Sequence, residues 1–318
     1  MAETLHRVRV LVTGGTGFIG SHLTRRLVGE GAEVHVLDLP AAASSRIADV
    51  LGSVTLHRAD LADGPSLQRT VREIAPRKVF HLAALTDVGR GLDRLGPALT
   101  DLQCTLNLLR GLDGVACDTV VYAGTCEEYG DQAAPFREDM PPRPVSAYSA
   151  SKAAGTLFCE MLHKTTGLPV VIVRPFLVYG PHQHPSRFLS AVIDAALRGT
   201  ELPMTPGEQT REFNYVSDTV DGFVRAAVTP AAVGQIINIG NGIEYTLKDA
   251  IARVAAACGR PVAARFGALP YRPGESMRFY CDNTKARLLL GWEPKVDFDT
   301  GLRLTIDWCR RERRQEKS

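Results

Sequence analysis

The sequence predicts an α/β protein, a doubly wound parallel sheet followed by a smaller mixed α/β region. Three observations carry that prediction. A buried-strand pattern, Arg7 to Thr13, runs directly into a glycine-rich turn and then a helical pattern. Short Val/Ile/Leu runs alternate with amphipathic stretches as far as Arg174, as in β-α-β units whose parallel strands are covered on both faces. After Tyr179-Gly180-Pro181 the loops lengthen and short strands mix with helices. The expected division is residues 1–180 for the sheet and 181–318 for the second region, with some of its segments returning to the first.

Size and charge exclude several classes. A chain of 318 residues can bury a large core. Its 45% hydrophobic and 23% charged residues are an ordinary globular balance. A net charge of +2 leaves no footprint for nucleic acid. No apolar run reaches membrane-spanning length, and none precedes the first strand as a leader. The seven cysteines are scattered without a C-x-x-C pair. Reduced thiols in a cytoplasmic protein fit that better than a disulfide framework or a zinc site.

Each element follows in order. After the first strand comes Gly14-Gly15-Thr16-Gly17-Phe18-Ile19-Gly20, then a helix to Gly31 and a second strand, Glu33 to Leu37, ending at Asp38. Glycines let a backbone turn tightly and approach a pyrophosphate, which rests on the helix N-terminus. Asp38 sits where a carboxylate accepts the adenosine ribose hydroxyls and repels a 2′-phosphate, so NAD is expected over NADP. A tight turn without a ligand is the plainer alternative. Strand, helix and terminal Asp together favour a Rossmann-type cofactor site.

Val54 to His57 reads as a third strand, with Asp60 and Leu61 expected beside the adenine. Leu67 to Ala75 reads as a helix and Lys78 to Ala84 as a fourth strand. The small residues around Leu82, Ala83 and Ala84 allow close approach of the cofactor, whereas His81 reads as a packed core histidine. Pro97 to Leu112 is a helix, and Thr119 to Ala123 a fifth strand ending at Gly124-Thr125-Cys126-Glu127-Glu128-Tyr129-Gly130. Ligand chemistry in such sheets gathers at strand C-terminal ends. A helix from Tyr148 and a sixth strand, Pro169 to Arg174, complete the first region. Beyond it, 188–198, 219–227, 247–257 and 300–310 read as helices, and 202–204 and 211–213 as short extended pieces. The charged tail after Arg310 reads as a solvated, fraying helix end.

Tyr148 and Lys152 stand four residues apart, on one face of a helix. An ammonium beside a phenol favours the phenolate and makes a base for an alcohol proton. Alone, the spacing more often marks a solvated helix pair. The glycine fingerprint and the Thr-Cys-Glu cluster give it a context.

Together these pieces resemble the extended short-chain dehydrogenase/reductase family, in particular its sugar-nucleotide epimerases and dehydratases. The motifs are Thr13 to Gly20, His81 to Ala84, Thr125 to Gly130, Tyr148 to Lys152, Arg174-Pro175 with Tyr179-Gly180-Pro181, Arg211, Arg272-Pro273-Gly274-Glu275 and Gly291-Trp292-Glu293-Pro294. The resemblance implies that Tyr148 takes a sugar 4-hydroxyl proton while the C4 hydride goes to NAD. It implies that Lys152 binds the nicotinamide ribose, that Thr125 bonds the sugar oxygen and that Phe176 contacts the nicotinamide. Arg211 and Arg272 then clamp a diphosphate, Met204 meets the base, and Thr86 and Glu275 touch substrate. Glu127 resembles the base that removes the C5 proton of a dehydratase. Cys126 stands where an aspartic acid is usual, and an unperturbed thiol of pKa about 8.5 can donate a proton. A small packing residue is the other reading.

The sequence also departs from the family pattern at Leu177, at Cys104 and in the 86–90 loop. His182-Gln183-His184 lacks a further ligand type, so no metal site is expected. The expected function is an NAD-dependent nucleotide-sugar 4,6-dehydratase, or its 5,6-variant. A 4-epimerase, a uronate decarboxylase, a keto-sugar reductase and a non-catalytic dinucleotide-binding regulator are the alternatives. By resemblance, helices near 97–112 and 148–166 pair into a four-helix dimer interface, with Leu157, Phe158, Met161 and Leu162 as an apolar stripe that could equally be intrachain core.

Overall fold

The computed structural model describes residues 5–86, 89–272 and 274–315. Asp87, Val88 and Pro273, which belong to segments singled out above, lie outside the described residues.

Seven parallel strands form the central sheet: β1 (Arg9–Thr13), β2 (Glu33–Asp38), β3 (Val54–Arg58), β4 (Lys78–His81), β5 (Thr119–Ala123), β6 (Val170–Pro175) and β7 (Ile236–Ile239). Their spatial order is β7-β6-β5-β4-β1-β2-β3, so the connection reverses between β1 and β4. A crevice opens at such a reversal, outside the strand C-termini.

Alternate residues of each strand serve two cores, because strand side chains alternate. On one face Val10, Val12, Val121, Val171 and Ile237 pack under α1 (Phe18–Gly29) and later helices. On the other, Leu11, Val79, Val120, Tyr122 and Ile172 pack under α2 (Gly64–Ile74), α3 (Leu95–Gly111) and α4 (Ala147–Thr166). Fully burying a side chain such as Leu23 or Leu67 contributes roughly 1.5–3 kcal/mol.

The remaining helices are α5 (Phe188–Arg198), α6 (Val216–Val228), α7 (Leu247–Cys258), α8 (Thr284–Leu290) and α9 (Phe298–Gln315). α5, α7 and α9 enclose a third core of Leu189, Val192, Ile251, Val254 and Leu302. α6 and α8 return to cover the first face of the sheet. β7, which also returns, extends the sheet beside β6.

Several expected boundaries move. β1 begins at Arg9, because Arg7 turns through a positive φ of 57° and donates its N–H to Gly31. β4 ends at His81: the next N–H groups turn to Thr13, Leu82 to its carbonyl and Ala83 to its hydroxyl. The piece expected over 211–213 is two short strands, Thr210–Arg211 and Asn214–Tyr215. α9 runs on to Gln315, exposed at Arg310, Arg311, Glu312 and Arg314, while Arg313 pairs with Asp194 of α5.

Candidate active site

The first wall of the crevice is the turn from β1 to α1. Gly14 has φ +70°, and a Cβ there would sit 2.8 Å from the Ala83 backbone. A Cβ on Gly20 would meet the Gly14 carbonyl at 2.1 Å. Only glycine lets the two loops and the helix come together this closely. Gly17 is the N-cap of α1, so the N–H groups of Phe18 and Ile19 open onto the turn. Asp38 is at the end of β2 and accepts from the Thr16 N–H at 3.0 Å and its hydroxyl at 2.5 Å. Asp60 is exposed after β3, and the Leu61 carbonyl is held by Asn107 at 2.9 Å. Leu82, Ala83 and Ala84 line the exit from β4 and are half-buried. His81 is buried, bonded to Thr13 at 2.7 Å and Thr105 at 3.0 Å, and burial pushes its imidazole down to about 3.

α4 forms the second wall. Ser146 caps it, accepting from Ser149 N–H while the Ser149 hydroxyl returns to the Ser146 N–H. This box starts the helix just before Tyr148 and sets which way its first turn faces. Lys152 lies one turn on. Its ammonium is 4.0 Å from Asp101 of α3 and 5.1 Å from the Tyr122 ring centre. It is buried and has no hydrogen-bond partner among the described residues. Tyr148 is half-buried as a residue. Burial pushes its phenol well above the ordinary value, and the hydrogen bond with Thr125 opposes only part of the rise. That is the reverse of the sequence expectation, because removing the hydroxyl from water disfavours the phenolate and Asp101, Cys126 and Glu127 add to the rise.

The third wall is the turn after β5. Thr125 and Glu128 form a capping box around a short 3₁₀ turn over Cys126–Tyr129. Glu127 emerges from this turn into a cavity it shares with Arg90, Arg211, Arg272 and Glu275. Burial pushes the Glu127 carboxyl above its ordinary value, against the pull of Arg211, Arg90 and Arg272. Arg211 pairs with Glu275 and donates to the Ser276 carbonyl at 2.9 Å. The turn therefore presents a carboxyl group with a raised pKa to a cationic pocket.

Of the expected catalytic and substrate residues, Glu127, Arg211, Arg272 and Glu275 line that cavity and Thr125, Tyr148 and Lys152 do not; four further residues sit in surroundings unlike those expected of them. Cys126 is 4% exposed, in an aromatic cluster with Tyr129, Phe136, Phe176, Phe279 and Cys281. Burial pushes its thiol well above the ordinary value, so the proton stays on sulfur and the premise of an unperturbed thiol does not hold. Phe176 is 0% exposed in the same cluster, and its ring offers no open face to a nicotinamide. Met204 belongs to the core of α5 and α7, and its backbone N–H and carbonyl are both taken, by Arg265 and Leu269 at 3.0 Å. Thr86 is exposed and bonded to Arg187, at 2.6 Å through its carbonyl and 3.0 Å through its hydroxyl. Two neighbours escaped the sequence reading, Asp101 and Arg90. Asp101 opens the Asp101–Thr105 segment, which departs from the family pattern. Arg90 stands in the loop that departs from the family pattern.

The residues present fit a dinucleotide. A buried ammonium without a hydrogen-bond partner is costly unless a ligand supplies acceptors. The glycine cradle and α1 N-terminus stand at the same crevice. The family model described as "NAD dependent epimerase/dehydratase family" matches residues 10–240. This chain belongs to that family. It is an NAD-dependent enzyme, with the Rossmann-type fold of the family's epimerases and dehydratases.

A UDP-glucose 4-epimerase of Mycolicibacterium smegmatis is 34% identical over 95% of this chain and 99% of its own length. A dTDP-glucose 4,6-dehydratase of Xanthomonas campestris is 31% identical over 94% of this chain and 92% of its own. Among solved structures, a double mutant of the Streptomyces venezuelae dTDP-glucose 4,6-dehydratase, with NAD bound, superposes with a TM-score of 0.89 at 31% identity, covering 97% of this chain and 98% of that one. The Thermotoga maritima UDP-glucose 4-epimerase with UDP-glucose gives 0.89 at 28% identity, covering 95% and 99%. Among the described residues no helix is long and apolar enough to cross a membrane.

Proposed function

We propose that this chain is a nucleotide-sugar dehydratase that works through a transient ketone at C4 of the sugar. The observation that carries this reading is Glu127, a carboxyl group of raised pKa in an arginine-lined cavity. It emerges from the turn that begins at Thr125, whose side chain lowers the Tyr148 pKa against the effect of burial. A 4-epimerase needs no such base.

When bound, NAD would supply a hydride acceptor and donor for the sugar. The Gly14–Gly20 turn and the α1 N-terminus would hold its pyrophosphate, Asp38 its adenosine ribose, Leu82 to Ala84 the path between, and Lys152 its nicotinamide ribose. With the cofactor in place, its positive nicotinamide and the Lys152 ammonium would favour the phenolate that burial alone disfavours; Tyr148 then takes the proton of the 4-hydroxyl, and Thr125 donates to the same oxygen as charge develops there. With C4 a ketone, the C5 proton is acidic; Glu127 removes it and passes it to the C6 hydroxyl, which leaves as water, and the hydride taken from C4 then goes to C6 with a solvent proton to C5, or in the 5,6-variant back to C4 with the Tyr148 proton returned to the oxygen. Arg211, Arg272 and Arg90 hold the diphosphate, Arg211 after exchanging its bond to Glu275 for the ligand. The first region serves the cofactor and the second the nucleotide. We assign Cys126 to packing, with no proton transfer.

The second reading is a 4-epimerase, favoured by the 34% identical relative. Incubation with UDP-, dTDP-, GDP- and CDP-sugars, read by mass spectrometry, separates the two. A product lighter by one water supports dehydration, and an isobaric product refutes it. A second copy of the chain is the proposed partner of the α3/α4 face. Leu95, Leu99, Leu157, Phe158 and Met161 are exposed there, whereas Leu162 turns into the intrachain core. A monomer by light scattering at micromolar concentration would refute the homodimer. A cytoplasmic location accords with the reduced cysteines.

A further inference from the structure

Behind the Thr125–Glu127 turn lies a buried ion pair that the reaction scheme does not use. Glu128 is 0% exposed and Arg174 of β6 is 1% exposed. One Glu128 oxygen accepts the Thr125 N–H at 2.9 Å. The other accepts the Thr156 hydroxyl at 2.9 Å, Arg174 Nη2 at 2.7 Å and Arg174 Nε at 3.1 Å. Thr156 lies one turn beyond Lys152 on α4. A single carboxylate thus ties together the Thr125 backbone, the helix that carries Tyr148 and Lys152, and the strand beneath them. The guanidinium also stacks over the Tyr129 ring at 4.7 Å, while its Nη1 is buried without a partner among the described residues. Gly124 is shaped to this carboxylate, because a Cβ there would lie 2.6 Å from the first Glu128 oxygen.

A buried pair of this kind is weak support for stability, since its desolvation offsets its attraction. Its distinctive property is the fixed direction of its bonds. We infer that Glu128, held by Arg174, is a positioning residue that fixes Thr125 against Tyr148 for the C4 oxidation; this rests on the function proposed above. Glu128 touches neither substrate nor cofactor and acts through the Thr125 N–H and the Thr156 hydroxyl.

Two double variants separate positioning from support. Glu128→Leu with Arg174→Leu leaves no charge unpaired but removes the acceptor of the Thr125 N–H. Glu128→Gln with Arg174→Gln also removes both charges yet keeps an acceptor at that place. On the sugar nucleotide identified by the panel, the leucine pair is expected to lose about 100-fold in kcat, the scale of a misplacement near 1 Å, with KM nearly unchanged. The glutamine pair is expected to retain most of kcat. Equal kcat in the two double variants, or wild-type kcat in the leucine pair, would overturn the inference. Amide exchange of the unaltered protein gives an independent check that needs neither turnover nor a variant that folds. The Thr125 N–H is expected to exchange only with global unfolding, and rapid exchange there would overturn the inference. If the wild type turns over no sugar nucleotide, the functional reading fails while the exchange result still decides the positioning.

Discussion

Replacing Lys152 with methionine probes the cofactor site at its most exposed energetic feature. The ammonium is buried 4.0 Å from Asp101 and has no hydrogen-bond partner among the described residues. Two terms act on the protein alone. Asp101 loses its counter-ion, a loss that costs about 3–5 kcal/mol for a buried pair. Asp101 keeps the Leu85 N–H at 3.2 Å and the Ser151 hydroxyl at 3.3 Å, and the unpaired ammonium disappears, returning about 1–3 kcal/mol. The net loss of stability is therefore roughly 2 kcal/mol. NAD binding has no compensating term. Each hydrogen bond from a charged donor contributes about 1.5–3 kcal/mol, which is roughly 10–150-fold in Kd. Titration of the apoprotein with NAD in a calorimeter, beside a denaturant melt, reads both quantities. A Kd within about twofold of wild type would refute the assignment of Lys152 to the cofactor, whatever the melt shows.

The remaining predictions concern the base, the cradle and the buried histidine. Glu127→Gln is expected to lower water release by about 100-fold or more while transient NADH absorbance still appears on mixing with substrate; equal loss of both would contradict its role after the oxidation. Because burial raises the Glu127 pKa, the acid limb of kcat/KM should fall above the ordinary carboxylate range, activity being lost as pH drops through the raised value. Gly20→Ala places a Cβ 2.1 Å from the Gly14 carbonyl and should cost roughly 3 kcal/mol or more in denaturant melts and abolish NAD binding. His81 has a folded pKa of about 3 against an ordinary 6.5, so the unfolded chain binds the extra proton between those values. That residue's contribution is whole above pH about 6.5 and falls by at most about 1.4 kcal/mol per pH unit on acidification. His81→Asn should flatten the melt-versus-pH curve in that window; an unchanged slope would contradict a neutral buried imidazole.

The sheet was legible because each strand announces itself locally. Val-Arg-Val-Leu-Val-Thr before a glycine turn admits few other conformations, and Thr119 to Ala123 matched to the residue. The seventh strand was not legible. Ile236–Ile239 is four residues long and follows a region of mixed elements, and only its pairing with β6 shows that it belongs to the sheet. Residue type and spacing single out Tyr148, Lys152, Glu127 and Arg211 in the sequence, and the proposed scheme rests on them. The site was illegible where direction decides. Cys126 and Glu127 are sequence neighbours, yet the 3₁₀ turn sends one into an aromatic core and the other into the cavity. The phenol of Tyr148 likewise carries a shift set by three-dimensional burial, which no helix spacing encodes.

The central claim is that the hydride taken from C4 of the sugar is given back to the same sugar within one turnover, with water lost between. Its most direct test is a nucleotide sugar carrying deuterium at C4, incubated with the NAD-loaded protein and read by mass spectrometry. The account predicts a product lighter by one water that keeps the deuterium, with no NADH accumulating in solution. A product of unchanged mass, or deuterium released to solvent, would contradict it.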